Sequence, residues 1–141
     1  MFDWCDEMKT MRIVLSPDPM LRATCEPCKI GDPALIPLAH EMAATMYANY
    51  GCGLAACQVG VLKRLVVIDC GDPDAEPDPI YLVNPEIIEL KGETVTDTEG
   101  CLSCPGIGVP IARPSIARVR YVSVKTSALL EELTQLPGKL L

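Results

Sequence analysis

Histidine is almost missing from this sequence, with one in 141 residues at His40, and aromatic residues make up only 4%. A metal site built on a pair of histidines is therefore excluded within these residues. With one Trp, one Phe and four Tyr, a core must be assembled from Leu, Ile, Val, Ala and Met. Hydrophobic residues still reach 49% of the chain. At this size that suffices for one core, removing roughly 68–70% of the unfolded surface from water. Basic residues are in short supply, since 12 Lys and Arg against 19 Asp and Glu leave a formal charge of −7. That balance repels a phosphate backbone, so direct nucleic-acid binding is not expected. There is no run of about 18 apolar residues, the length a membrane-spanning helix needs. The opening MFDWCDEMKT carries acids where a signal peptide would be apolar. No membrane partner is expected, and the expected location is cytoplasmic.

Cysteine, by contrast, is plentiful, at positions 5, 25, 28, 52, 57, 70, 101 and 104. In a reducing compartment disulfides are rare, which leaves metal binding, catalysis or plain burial as the uses of these thiols.

Residues 1–10 read as an extension, and Met11-Arg12-Ile13-Val14-Leu15 begins the first apolar run. Asp32 followed by Pro33 is a helix start, and Leu35, Leu38, Ala39, Met42, Met46 and Tyr50 recur at helical spacing. An amphipathic helix is predicted over 33–49, stopped by Gly51 and Gly53. Leu65 to Ile68 suits a buried strand, and GDPDAEPDP over 71–79 an exposed loop. Further strands are predicted at 80–83, 86–90, 93–97 and 116–124, where Ala117, Val119 and Tyr121 alternate with Arg118 and Arg120. Leu129, Leu130, Leu133 and Leu136 predict a short helix over 128–136.

Two segments could carry chemistry. In Gly51-Cys52-Gly53-Leu54-Ala55-Ala56-Cys57-Gln58, the glycines allow close backbone approach, and Gln58 offers an amide to a developing oxyanion. The same pattern also fits a helix cap and a tight turn. In Glu99-Gly100-Cys101-Leu102-Ser103, a thiolate beside glycine can bind a metal, while the residue type alone fits a buried structural cysteine equally well.

Together, GCGLAACQ over 51–58 and EGCLS over 99–103 resemble two of the three motifs of the peptide deformylases, GxGLAAxQ and EGCLS. That family removes the formyl group from the N-terminal methionine of nascent proteins. The resemblance runs from about Met11 to Val124. It implies an α+β fold of mostly antiparallel sheets around a helix, with the N-terminal helix packed outside. It implies Cys101 as a thiolate ligand of Fe2+, for which Zn2+, Ni2+ or Co2+ can substitute. Gln58 and the Leu102 backbone N–H would hold the oxyanion. Gly53, Leu54, Glu99 and Gly100 would line the substrate site, with Glu99 pairing to Arg113. The implied partners are N-formylmethionyl peptides and nascent chains, near the ribosome.

The family's third motif, HExxH, does not occur in these 141 residues, and His40-Glu41-Met42-Ala43-Ala44 ends in alanine. His40 is expected on the surface or in a groove of the first helix. Residues 11–141 are thus expected to form one incomplete domain, through C-terminal loss or a changed reading frame near 124, with little or no turnover. Two other readings stand beside this one. An inactive deformylase-like protein would bind peptide without turnover. A zinc-stabilised module would use Cys25, Cys28, Cys101 and Cys104 as a four-cysteine site, although 72 residues separate the two C-x-x-C pairs, against the roughly 15–20 usual between knuckles.

Overall fold

The computed structural model describes residues 10–69, 71–72 and 74–124, and the backbone of 129–134. The expected extension falls almost wholly outside the described residues.

The first helix starts two residues later than expected, with Ala34 and not Asp32 at its N-cap, and Asp32 shapes the turn leading into it. The Asp32 side chain accepts from the Ala34 N–H at 2.9 Å and its carbonyl from the Leu35 N–H at 3.1 Å, so helix α1 spans Leu35–Ala48. At the other end Tyr50 turns left-handed, at φ 57°, and the Gly51 N–H closes on the Met46 carbonyl at 2.9 Å. Leu35, Ala39, Met42, Ala43 and Met46 form the inward stripe. Ala44 and Thr45 are buried as well, so Met42 to Met46 are enclosed without interruption. The one-sided helix packed outside is therefore corrected: the second half of α1 is part of the core. Buried Thr45 is satisfied on both sides, donating to the Glu41 carbonyl and accepting from the Met11 N–H, each at 2.8 Å.

Five strands follow as an antiparallel meander in chain order: β1 (Gly53–Ala55), β2 (Leu65–Ile68), β3 (Ile80–Cys101), β4 (Cys104–Ser123) and β5 (Leu129–Thr134). Alternation along the strands divides the apolar side chains between two faces. On one face Leu54, Leu65, Val67, Tyr81 and Val83 meet α1, Ala56, Val59 and Val124. On the other, Ile68, Leu82, Ala117, Val119 and Tyr121 form a second cluster with Val66 and Ile80. Burial on both faces explains why LVVI reads as a continuous apolar run.

The three strands expected between 80 and 97 are one strand, and the breaks between them are irregularities in its pairing with β4, at Val83/Glu86 and Lys91/Thr94. Asn84 sits at the first, left-handed at φ 51°. Its amide accepts from the Cys28 N–H at 2.7 Å and donates to the Cys28 carbonyl at 3.0 Å. Gly92 sits at the second with φ +85°, where a Cβ would lie 2.2 Å from the Ser115 Oγ.

The tail is corrected outright. Leu129–Thr134 is a strand, paired from Val122↔Leu129 to Arg118↔Leu133, and the flanking 128, 135 and 136 lie outside the described residues. A Leu-rich hexamer has no strong backbone preference of its own, and the free edge of β4 supplies hydrogen-bond partners that an isolated turn of helix lacks.

Candidate active site

The turn after α1 carries the first group. After β1 the chain makes a 3-10 turn over Ala56–Val59, closed by left-handed Gly60 at φ 83°. Within it the Gln58 Oε1 accepts from the Ala55 N–H at 2.9 Å. That contact fixes which end of the amide points outward. The Nε2 then faces the Cys101 Sγ at 3.4 Å and the Ser103 Oγ at 3.1 Å.

The second group stands at the tip of the β3–β4 hairpin. Cys101 and Cys104 are register partners across the two-residue turn Leu102–Ser103, so EGCLS forms the end of a hairpin. The hairpin bends back onto the first group at three points. Ser103 is buried, and its carbonyl accepts from the Ser16 N–H at 2.8 Å. Leu102 packs against the α1 face of the core. A Cβ on Gly51 would come 2.7 Å from the Leu102 Cδ1, so the glycine opening GCGLAACQ makes room for the leucine of EGCLS. Val14 ties down the other side, its N–H donating to the Gln58 carbonyl at 2.7 Å.

Gln58, Cys101 and Leu102 are thus brought together. Gly53 opens β1, paired with Ile68, and β1 ends the sheet with one edge lacking a neighbour in the strand order among the described residues. The Leu54 side chain is 1% exposed and belongs to the core, while its backbone lies on the edge strand. Glu99 grips the Arg113 Nε with both oxygens, at 3.1 and 2.8 Å, which commits its carboxylate to the hairpin. Gly100 lies between the two groups of contacts. Ser103 is a working residue that sequence reasoning passes over, although it stands inside the quoted motif; the close approach that the glycines of GCGLAACQ suggest is, at Gly51, made by Leu102.

The remaining candidates are elsewhere. His40 on α1 is half-buried with its ring 5.7 Å from that of Tyr81. Cys28 is buried, and its thiol faces the Arg64 carbonyl at 3.6 Å. Among the described residues no three His, Cys, Asp or Glu side chains are grouped to hold a metal. The four-cysteine zinc reading therefore fails. The same observation bears on a catalytic metal, since beside the Cys101 sulfur stands an amide N–H, a donor and not a ligand. The described residues do not fit such an ion, and no step is assigned through one.

A thiol pair flanks the site. Cys57 stands next to Gln58, and Cys25 and Cys101 are close enough to act on it electrostatically. Burial pushes the Cys57 thiol up, and its two neighbours push it the same way.

An antiparallel curled sheet on one helix, with a Gln, a Cys and a leucine turn meeting at the hairpin tip, defines a class of small α+β scaffold. Comparison with known proteins gives the family. The family model described as polypeptide deformylase matches residues 10–141. The peptide deformylase of Bartonella bacilliformis is 42% identical over 115 residues, covering 77% of this chain and 63% of its own length. That of Agathobacter rectalis is 43% identical, covering 82% of this chain and 68% of its own. The crystal structure of peptide deformylase from Thermotoga maritima superposes with a TM-score of 0.82 at 37% identity, over 93% of this chain and 84% of that one. The Met-Ala-Ser-bound class I type b peptide deformylase from Acinetobacter baumannii does so with a TM-score of 0.84 at 27% identity, over 94% and 88%. The chain belongs to the polypeptide deformylase family, whose members are metal-dependent hydrolases. It spans about two thirds of the length of the curated relatives it matches, 63% of the first and 68% of the second.

Proposed function

We propose that this polypeptide is a deformylase scaffold that binds N-formylmethionyl peptides and that these 141 residues, by themselves, turn them over little or not at all. The observation that carries the reading is the convergence of Gln58, Cys101 and Ser103, which joins the two motifs into one site. Residues 11–141 act as one domain in this reading, and residues 1–10 as an extension of it. The open edge of β1 offers the Gly53 and Leu54 backbone to an extended peptide. The Leu102 N–H and the Gln58 Nε2, once released from its present partners, are the donors available to a formyl oxygen. Glu99, held by Arg113, and Gly100 keep the Cys101 end of the hairpin in place. Cys101 is the single ligand this chain supplies to the Fe2+ expected of the family, or to Zn2+, Ni2+ or Co2+ in its stead.

Among the described residues no helix is long and apolar enough to cross a membrane. A cytoplasmic location close to the ribosome, where formylated chains emerge, agrees with the substrate. The family relationship to a structure bound to Met-Ala-Ser supports a peptide ligand.

The test is metal analysis of the purified 141-residue polypeptide together with formyl-Met-Ala-Ser hydrolysis and binding. Substoichiometric metal and a raised melting temperature with peptide, without turnover, are expected. One metal per chain with turnover would overturn the reading.

A further inference from the structure

Two backbone N–H groups of one short segment close on the two halves of the site. Residues 11–16 belong to no helix or strand and run across both the turn after α1 and the tip of the β3–β4 hairpin. The Val14 N–H donates to the Gln58 carbonyl at 2.7 Å, and the Ser16 N–H donates to the Ser103 carbonyl at 2.8 Å. Groups two residues apart on an extended chain face the same way, so a single edge of the segment serves both motifs. The segment is anchored at each end. Upstream, the Met11 N–H donates to the buried Thr45 hydroxyl at 2.8 Å. Downstream, Asp18 caps the 3-10 turn Pro19–Arg22, its carboxylate accepting from the Met20 N–H at 2.9 Å, and the Met20 sulfur lies 3.8 Å from where a Cβ on Gly60 would stand.

We propose that Val14 and Ser16 are positioning residues, whose backbone donors set the spacing between the Gln58 turn and the Cys101 hairpin tip. The direct bridge between the two halves is the Gln58 Nε2, which donates to the Ser103 Oγ at 3.1 Å and faces the Cys101 sulfur at 3.4 Å. That bridge is broken whenever the amide turns to a ligand oxygen. The bonds from Val14 and Ser16 use carbonyls that no ligand competes for, so they keep the halves together when the bridge opens. Their donors are main-chain groups, and proline is the residue that removes them. Ser103 is buried, and depriving its carbonyl of a donor should raise the opening of the tip about tenfold. The consequence for peptide binding rests on the function proposed above, but the positioning is a property of the chain alone and its test needs no peptide.

Amide hydrogen exchange of the full 141-residue chain, followed residue by residue by NMR, is the test. In the unsubstituted protein the Val14 and Ser16 amides are expected to be protected and to open together with the tip amides of 101–104, as one unit, when denaturant is raised. Ser16→Pro should speed exchange at 101–104 about tenfold and leave the β2 amides of 65–68 unchanged, whereas Ser16→Ala, which keeps the N–H, should hold the parent rates. Val14→Pro should loosen the Ala55 amide, which donates to the Gln58 side chain, and Val14→Ala should not. Unprotected Val14 and Ser16 amides, segment and tip opening at different denaturant concentrations, a tip indifferent to Ser16→Pro, or equal effects of proline and alanine would overturn the proposal. Where a proline variant fails to fold, joint or separate opening in the unsubstituted protein decides.

Discussion

Leu82 and Leu90 lie on the same strand, β3, eight residues apart, yet Leu82 is 1% exposed and Leu90 is 52% exposed. They mark two regions of one sheet. Near the start of β3, neighbours β2 and β4 are in register on either side, α1 covers one face, and the second apolar cluster fills the other. From Leu90 onward, among the described residues, β3 and β4 pair only with each other, and Val95, Ile107 and Val109 join Leu90 in facing solvent, each about half exposed. The hairpin becomes buried again only at its tip, where Leu102 and Ser103 return to the core. Backbone pairing holds the arm together, but side-chain burial anchors it at the base and the tip. The site is therefore built where burial resumes.

Replacing the two leucines measures that difference. Leu82→Ala removes a fully buried side chain and is expected to cost about 2–5 kcal/mol, read by chemical denaturation. A loss below about 1 kcal/mol would mean that the second cluster is not a true core.

A smaller effect is expected at the α1–β2 junction, where the Tyr47 hydroxyl donates to the Asp69 Oδ2 at 2.5 Å and the Gly71 and Asp78 N–H groups donate to the same carboxylate. Burial raises the Asp69 pKa, but these three hydrogen bonds outweigh it, and the net shift is below the ordinary 3.8. A depressed carboxyl pKa stabilises the fold above the unfolded value, and that contribution is lost as pH falls from about 3.8 through the lower folded value. Tyr47→Phe should cost about 1 kcal/mol at neutral pH, with the gap to the parent narrowing below pH ~3.8, as followed by denaturation at several pH values. A gap that stays constant into acid would remove Asp69 from the account.

Leu90→Ala should change stability by no more than about 0.5 kcal/mol in the same denaturation assay. A loss comparable to that of Leu82→Ala would show that the arm is covered in solution.

Much of this is legible in the chain. The turn into the helix follows from Asp32-Pro33, the β2 run from its β-branched residues, and the alternation at 117–121 from the period of a strand. The family lies in GCGLAACQ and EGCLS. What the local pattern misses has a common cause. Asn84-Pro85 and Gly92 are strong punctuation, yet β4 pairs across both and turns them into irregularities of one strand. The leucines at 129–133 have helical spacing, yet an open strand edge claims their backbone. Leu54 stands in a functional motif, yet strand alternation turns its side chain into the core.

The sequence by itself determined the residue types of the site, the near absence of histidine and the two motifs, because these depend only on which side chains are present and in what order. Tertiary structure alone decided that Gln58 would point its N–H at Cys101 and that Gly51 would make room for Leu102. Those contacts join positions 43 and 51 residues apart, and no short-range preference specifies them; they exist because a curled hairpin anchored at both ends brings its tip back to the turn after the helix.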